Sequence, residues 1–319
     1  MSGILEGAAA AAAIGAALAG GAYAAAVLDG AIGGAVAGEG FRWRRALVLP
    51  AARTATLLLE RRAMTERPDA LTWALAPALL GGFAAAGLAA VPLAPAVAVA
   101  DVPDGIVLFG AAMALVMVAV FLHGWSANSP LALVGGFRFI AQALSYEMPL
   151  ALVLIAAALP AESLSVGEIV ESQSGLWNVV RQPLGLPLFL IAGLGLAFWG
   201  PLALPDGTDL AGGTAAETSG VQLLLWRLAQ HAVLAAVAAM AAACFLGGWL
   251  GPALPGPLWM GSALWMGLKT LALLAVLVAA GHLVSRARIE RFVVVAWVIL
   301  IPLALLDVFV SGALALAGK

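Results

Sequence analysis

Residues 124–149 read GWSANSPLALVGGFRFIAQALSYEMP, a polar island between two apolar runs. The island places Trp125, Ser126 and Asn128 in a loop, then Arg138, Gln142, Ser145, Tyr146 and Glu147 at the mouth of the next run. A lipid-facing helix has no use for that set, because an Arg or Asp near the centre of a bilayer helix costs roughly 2.5–3.5 kcal/mol even on insertion scales. On a continuous helix Arg138, Gln142 and Ser145 share one face by the i, i+4, i+7 rule. Glu147 then points roughly to the opposite side, at about 100° per residue. Two readings fit: charged anchors at a membrane interface, or the lining of a polar cavity.

The surrounding composition sets the class. Of 319 residues, 64% are hydrophobic and 10% charged, with a mean hydropathy of +1.07. A soluble domain carries about 25% charged residues. Apolar runs of about 20 residues recur and strand-like alternation is absent, which specifies an all-α integral membrane protein and not a barrel. Met1 to Gly20 lacks the basic segment of a cleavable signal. The single cysteine, Cys244, excludes a disulfide or a CxxC metal pair. His123, His231 and His282 have no ligand spacing, so the expectation is a chain with no redox centre of its own. Electrons, if involved, travel on another chain.

Eight spans are expected, near Ile4–Asp29, Leu71–Val91, Gly105–His123, Leu144–Pro160, Pro187–Leu204, Val221–Leu246, Leu258–His282 and Phe292–Leu314. Between the first two lies a basic loop with Arg42, Arg44, Arg45, Arg53, Arg61, Arg62 and Arg67. Within it, Ala46 to Glu60 reads as an amphipathic helix in the interface, with Pro50 near its first turn. Arg138 falls in the third loop and Arg286, Arg288 and Arg291 in the seventh, while loops two and six lack Lys and Arg. By the positive-inside rule the odd-numbered loops face the cytoplasm and both termini face outside.

Loop four, Ala161–Gln182, reads as a solvated exterior segment. Loop five, Pro201–Gly220, is acidic only, with Asp206, Asp209 and Glu217. It is either a flexible polar connector or an acidic chain that accepts protons or docks a partner. Asp29, Glu147, Arg227, Lys269 and Asp307 fall within spans, where ionisable groups mark functional positions by default. Asp29, Asp307 and His282 sit near span ends, where snorkelling explains them. Arg227, Gln230 and His231 form a polar stripe on the sixth span.

These residues carry a resemblance. The 124–149 stretch is similar to the GW-S-N, GG-R-Q, SYE-P signature of the H-type (subunit 1) family of respiratory complex I, NADH-quinone oxidoreductase. PAARTATLLLERR, LTWALAPALL, PLALPDGTDLAGGTAAETSG, FLGGW, WMGLKT and SRARIERF resemble further family elements in the family's order. Membrane-bound hydrogenase subunits share much of the pattern.

The resemblance implies a membrane-arm subunit that helps form a quinone chamber and couples quinone reduction to proton translocation. Its partners would be other membrane subunits and an iron–sulfur peripheral arm, in the cell's plasma membrane, with no nucleic acid. The substrate would be ubiquinone or menaquinone, and no cofactor would be covalently bound. Carried over by position, Glu147, Asp206, Asp209 and Glu217 are proton-path candidates, with Arg138 and Tyr146 beside them. Asp29, Arg45, Arg53, Gln142, Gln230 and His231 are the quinone-contacting candidates, and no metal ligand is implied. Arg286, Arg288, Glu290 and Arg291 would hold the seventh loop against the peripheral arm.

The sequence also departs from the family. Arg53 and Ala203 stand where the family has Asp, Thr208 replaces a Glu, and the sixth-span glutamate aligns with Gln230. Two other functions compete: a hydrogenase-type membrane anchor, and a stand-alone secondary transporter, against which the chain shows no internal repeat.

Overall fold

The structure is a computed structural model that describes residues 2–40, 42–61, 63, 65–95, 102–252 and 258–317. Arg62 lies outside the described residues. Thirteen α-helices run in order among them: α1 Ser2–Val36, α2 Trp43–Leu59, α3 Ala70–Ala89, α4 Gly105–Ala114, α5 Val116–Ser126, α6 Pro130–Ala158, α7 Val166–Glu171, α8 Asn178–Arg181, α9 Gly185–Leu196, α10 Gly220–Phe245, α11 Leu258–Leu283, α12 Ile289–Val295 and α13 Ile301–Ala317. Among the described residues, seven helical segments are long and apolar enough to cross a bilayer.

α10 is the axis of the bundle. Every residue from Ala232 to Phe245 is buried, as expected for a helix that is apolar all round. Its alanines let α1, α3, α9 and α11 approach closely. At the α9 crossing a Cβ on Gly193 would sit 2.4 Å from Val237 Cγ1, so only glycine fits.

Several boundaries differ from the sequence reading. The fourth span starts fourteen residues early, at Pro130, because Ser129 stands at the N-cap and proline suits the first helical position. Arg138 is therefore helical and not in a loop. The fifth span contracts to α9, twelve residues or about 18 Å, too short for a core of about 30 Å. The apolar run continues past it, but Phe198 (φ 38°) and Gly200 (φ 56°) are left-handed and end the helix. α2 begins three residues early, which puts Pro50 mid-helix on a surface element that buries only Ala46. The last span contains one π-helical turn, Ala296–Leu300. Pro302 follows it and has no N–H to give to the residue four back.

The acidic loop is folded and not a loose connector. Gly213 (φ 54°) brings its own Cα so close to Pro205 O that a Cβ would lie 1.7 Å from that oxygen. Thr214 N donates to the same carbonyl at 3.2 Å, closing the loop on itself.

Loop four is only partly solvated: Glu168 and Glu171 are exposed, but Gln173, Asn178 and Gln182 are buried in it. Gln173 Nε2 donates to Ala243 O (2.9 Å) and Asn178 Nδ2 to Cys244 O (2.9 Å), both at the C-terminal end of α10. Lys269 Nζ reaches the carbonyls of Leu246 (2.6 Å), Gly248 (2.9 Å) and Leu250 (2.6 Å), and lies 4.4 Å from the Trp177 ring centroid. A helix end leaves carbonyls without intrahelical partners. Gln173 and Asn178 supply them for Ala243 and Cys244, and Lys269 caps α10 by tying the C-cap residue Leu246 to the turn that follows it.

At the other end of the bundle, α1, the α5–α6 turn, the acidic loop and the α11–α12 connection converge. Ala287 N donates to Pro201 O at 2.8 Å, and Ser129 Oγ to Glu217 Oε1 at 3.0 Å. The basic and acidic connections thus share one face.

Candidate functional site

Three charged groupings occupy that converged end. The first is built on Asp206, held in the acidic loop. Its side chain is 7% exposed. Thr214 Oγ1 donates to Oδ1, and Oδ2 lies 3.9 Å from an Arg227 guanidinium nitrogen, within ion-pair range but beyond a hydrogen bond. Burial pushes the Asp206 carboxyl above the usual range, against the pull of Arg227, the Thr214 hydroxyl and Arg286.

The second grouping is Arg138 on α6 with Asp209 on the same loop, 2.6 Å apart. Asp209 is exposed, and the hydrogen bond from Arg138 holds its carboxyl below the usual range. Two carboxylates three residues apart are therefore pushed in opposite directions, one by desolvation and one by a guanidinium. A cavity of about 490 Å3 beside Asp209 includes Arg138, Arg286, Arg288 and Glu290 in its lining.

The third joins α1, α2 and α11. His282 Nε2 lies 2.9 Å from Asp29 Oδ1, and Arg53 lies 3.7 Å from Asp29 Oδ2. The span-end reading of Asp29 and His282 thus gives way to a direct contact between the first and seventh spans. Arg45 pairs with Glu39 at the rim, and both are exposed.

Between α1, α2 and α10 opens a cavity of about 360 Å3. Its walls are largely apolar, including Tyr23, Leu57, Leu224 and Leu228, and its polar side carries Asp29, Arg53, Arg227 and His231. Tyr23 OH donates to Leu47 O at 2.5 Å, tying α1 to α2 at its edge. A smaller cavity of about 190 Å3 adjoins it, holding Asp206, Gln230, His282 and Arg286. Asp29, Trp199 and Arg227 line both.

The sequence-expected residues divide. Asp29, Arg53, Asp206, Arg227, Gln230 and His231 come together around these two cavities. Gln230 Nε2 donates to Phe198 O (3.1 Å) while its Oε1 accepts from Arg227 (3.1 Å); His231 Nδ1 pairs with Arg227 O (2.8 Å). Gln142 is buried and its Nε2 spans Gly195 O (2.6 Å) and Leu202 O (2.9 Å), so it ties α6 to the end of α9. Tyr146 is fully buried against Phe139, ring centroids 6.2 Å apart. Glu147 is half-buried on α6, nine residues or about 13 Å along the helix from Arg138. Glu217 accepts from Ser129 at the α5–α6 turn.

Sequence reasoning passed over His123. It is buried and stacks on Trp226 at 3.7 Å and 10°, with Nε2 3.3 Å from Thr218 Oγ1. A lone histidine in an apolar run gives no signal of such a partner. Thr214 was equally silent, since a threonine donor to a carboxylate is visible only once the loop has folded.

Similarity to known proteins meets this geometry. The sequence model of the family described as NADH dehydrogenase matches residues 40–312. The chain is 38% identical over 250 residues to the first of the H-type subunits of NADH-quinone oxidoreductase in Rhodopseudomonas palustris (strain HaA2), covering 78% of this chain and 76% of that one. It is 36% identical over 263 residues to the second H-type subunit of the same enzyme in Cereibacter sphaeroides (strain ATCC 17029), covering 82% and 81%. Against the H-type subunit of NADH-quinone oxidoreductase in Geobacillus kaustophilus (strain HTA426) the identity is 33% over 257 residues, covering 80% and 77%. A membrane bundle with a charged, cavity-bearing end and this similarity along most of its length belongs to the NADH dehydrogenase family, as a divergent relative of the H-type subunits of NADH-quinone oxidoreductase.

Proposed function

We propose that this chain is a membrane-arm subunit of a quinone-reducing complex, that the cavity between α1, α2 and α10 admits a quinone, and that Asp206 begins the path by which its reduction drives proton translocation. The charged end of the bundle faces the cytoplasm in this reading, with both termini outside and the chain in the plasma membrane. Iron–sulfur subunits docked on the charged end supply the electrons.

One observation carries the reading: a cavity with apolar walls carries Asp29, Arg53, Arg227 and His231, and shares Asp29, Trp199 and Arg227 with a smaller cavity that holds a buried carboxyl. A quinone needs an apolar channel for its tail and a few hydrogen-bonding groups for its head. Coupling needs a buried carboxyl whose proton affinity responds to nearby charge.

The test is purification of the complex from its native membrane in mild detergent. Iron–sulfur subunits should accompany the chain, with quinone reductase activity sensitive to quinone-site inhibitors. Leu228→Trp, which adds bulk to the cavity wall, should raise KM for quinone several-fold while the subunits stay assembled. A chain that purifies alone, or an unchanged KM, would overturn the proposal.

A further inference from the structure

The cavity and the buried carboxyl share a side chain. Arg227 lines the 360 Å3 cavity and also the smaller one that holds Asp206. One of its N–H groups is given to Gln230 Oε1 at 3.1 Å, and the same nitrogen stands 3.9 Å from Asp206 Oδ2. A guanidinium carries five N–H donors in a rigid fork, so donors remain for the cavity side. The Asp206 Oδ2 atom facing it is buried and has no hydrogen-bond partner among the described residues. The gap is about 1 Å longer than a charge-assisted hydrogen bond. The guanidinium therefore sits between two oxygens, bonded to one and not yet to the other.

We propose that Arg227 is a positioning residue that links occupancy of the cavity to the proton on Asp206. Resting on the quinone reading above, the inference is that an electron-rich head-group oxygen in the cavity competes with Asp206 for the Arg227 guanidinium. When the ligand draws the cation toward itself, Asp206 loses its nearest positive charge and takes up a proton. When the ligand leaves, the cation returns and the proton is released. Gln230 is the anchor that keeps the guanidinium from closing fully on Asp206. A glutamine serves there because it accepts from Arg227 without adding a charge that would hold the cation permanently.

The other charged groups around Asp206 do not share this placement. Arg286, on the α11–α12 connection, and His282, on α11, line the small cavity but not the larger one, and His282 is engaged with Asp29 of α1. Asp29 lines both cavities but carries the opposite charge. Thr214 contributes a neutral hydroxyl. Arg227 is the cation among these that touches both spaces and approaches Asp206 within ion-pair range.

The intact complex tests this by infrared difference spectroscopy of protonated carboxyl groups, with Asp206→Asn identifying the Asp206 band. In the parent protein a short-chain quinone should raise the titration midpoint of that band. Arg227→Gln should raise the ligand-free midpoint by roughly one pH unit or more, since an opposite charge within about 4–6 Å lowers a carboxyl by that order, and should abolish the quinone-induced change. Gln230→Leu should move the ligand-free midpoint the other way, because the released guanidinium closes on Asp206. Arg227→Lys keeps a cation on a shorter side chain and should restore part of the ligand response; it and Gln230→Leu decide the matter where Arg227→Gln does not assemble. A quinone-induced change that survives in Arg227→Gln, or a Gln230→Leu midpoint that is unmoved or raised, overturns the role of Arg227. A parent-like quinone response in Leu228→Trp instead overturns the assignment of the cavity.

Discussion

Gln142→Leu separates a scaffold role from a ligand role at a position that the sequence offers as a quinone contact. The substitution keeps the approximate volume and removes one amide that donates at 2.6 Å to Gly195 O and at 2.9 Å to Leu202 O. Each net hydrogen bond is worth about 1 kcal/mol, and a buried carbonyl left bare costs about 1–3 kcal/mol. Gly195 O retains a bond from Phe198 N at 3.1 Å, so the bare group is chiefly Leu202 O. The sum is about 2–4 kcal/mol, or about 30- to 700-fold in the population of the opened state at 1.4 kcal/mol per tenfold. Cys244 reports it: the lone cysteine is fully buried on α10, which packs on α9. In native membranes, labelling of Cys244 by a maleimide polymer, read as a mass shift of this chain, should accelerate by that factor. The KM for quinone in the surviving complex should not move. An unchanged labelling rate with a raised KM would refute the reasoning and return Gln142 to the ligand.

Lys269→Met strips the donor from three carbonyls, one at the C-cap of α10 and two in the turn after it, and should cost about 3 kcal/mol or more; Cys244 labelling should quicken at least a hundredfold, and parent-like protection would contradict the cap. Gln230→Glu places a carboxylate on Arg227, so it should change the number of protons moved per quinone without loss of assembly; loss of assembly would count against it. The acidic loop should show two opposed pH effects in hydrogen exchange over residues 205–217. The Asp206 carboxyl is raised, so its stabilising contribution is full below the ordinary carboxylate range and is lost as pH rises through the raised value. The Asp209 carboxyl is lowered, so its contribution is present above the ordinary range and is lost as pH falls through the depressed value. Asp206→Asn should flatten the first limb and Arg138→Gln the second; the reverse assignment would show that the two environments have been exchanged.

Much of this molecule is legible in its sequence because bilayer physics leaves few options. Long apolar runs could only be helices, and the polar stripe Arg227, Gln230, His231 had to face something other than lipid. What periodicity cannot show is where a helix stops for conformational reasons. The left-handed Phe198 inside an apolar run shortens α9, and Pro130 lengthens α6 into the polar island. Nor can it show partners distant in sequence. Asp29 meets His282 across 253 positions, and Lys269 meets carbonyls from 19 to 23 positions away. The burial of part of loop four is hidden because glutamine and asparagine are ordinary surface residues; here Gln173 and Asn178 donate to the last carbonyls of α10.

The decisive measurement is photolabelling of the intact complex with a short-chain quinone carrying a photoreactive group, followed by mapping of the adduct on this chain. Label should fall on Tyr23, on α2 near Thr54 and Leu57, or on Leu224 and Leu228 of α10, and excess unlabelled quinone should remove it. Competed label confined to the lipid-facing side of α13, or to other subunits alone, would contradict a quinone between α1, α2 and α10.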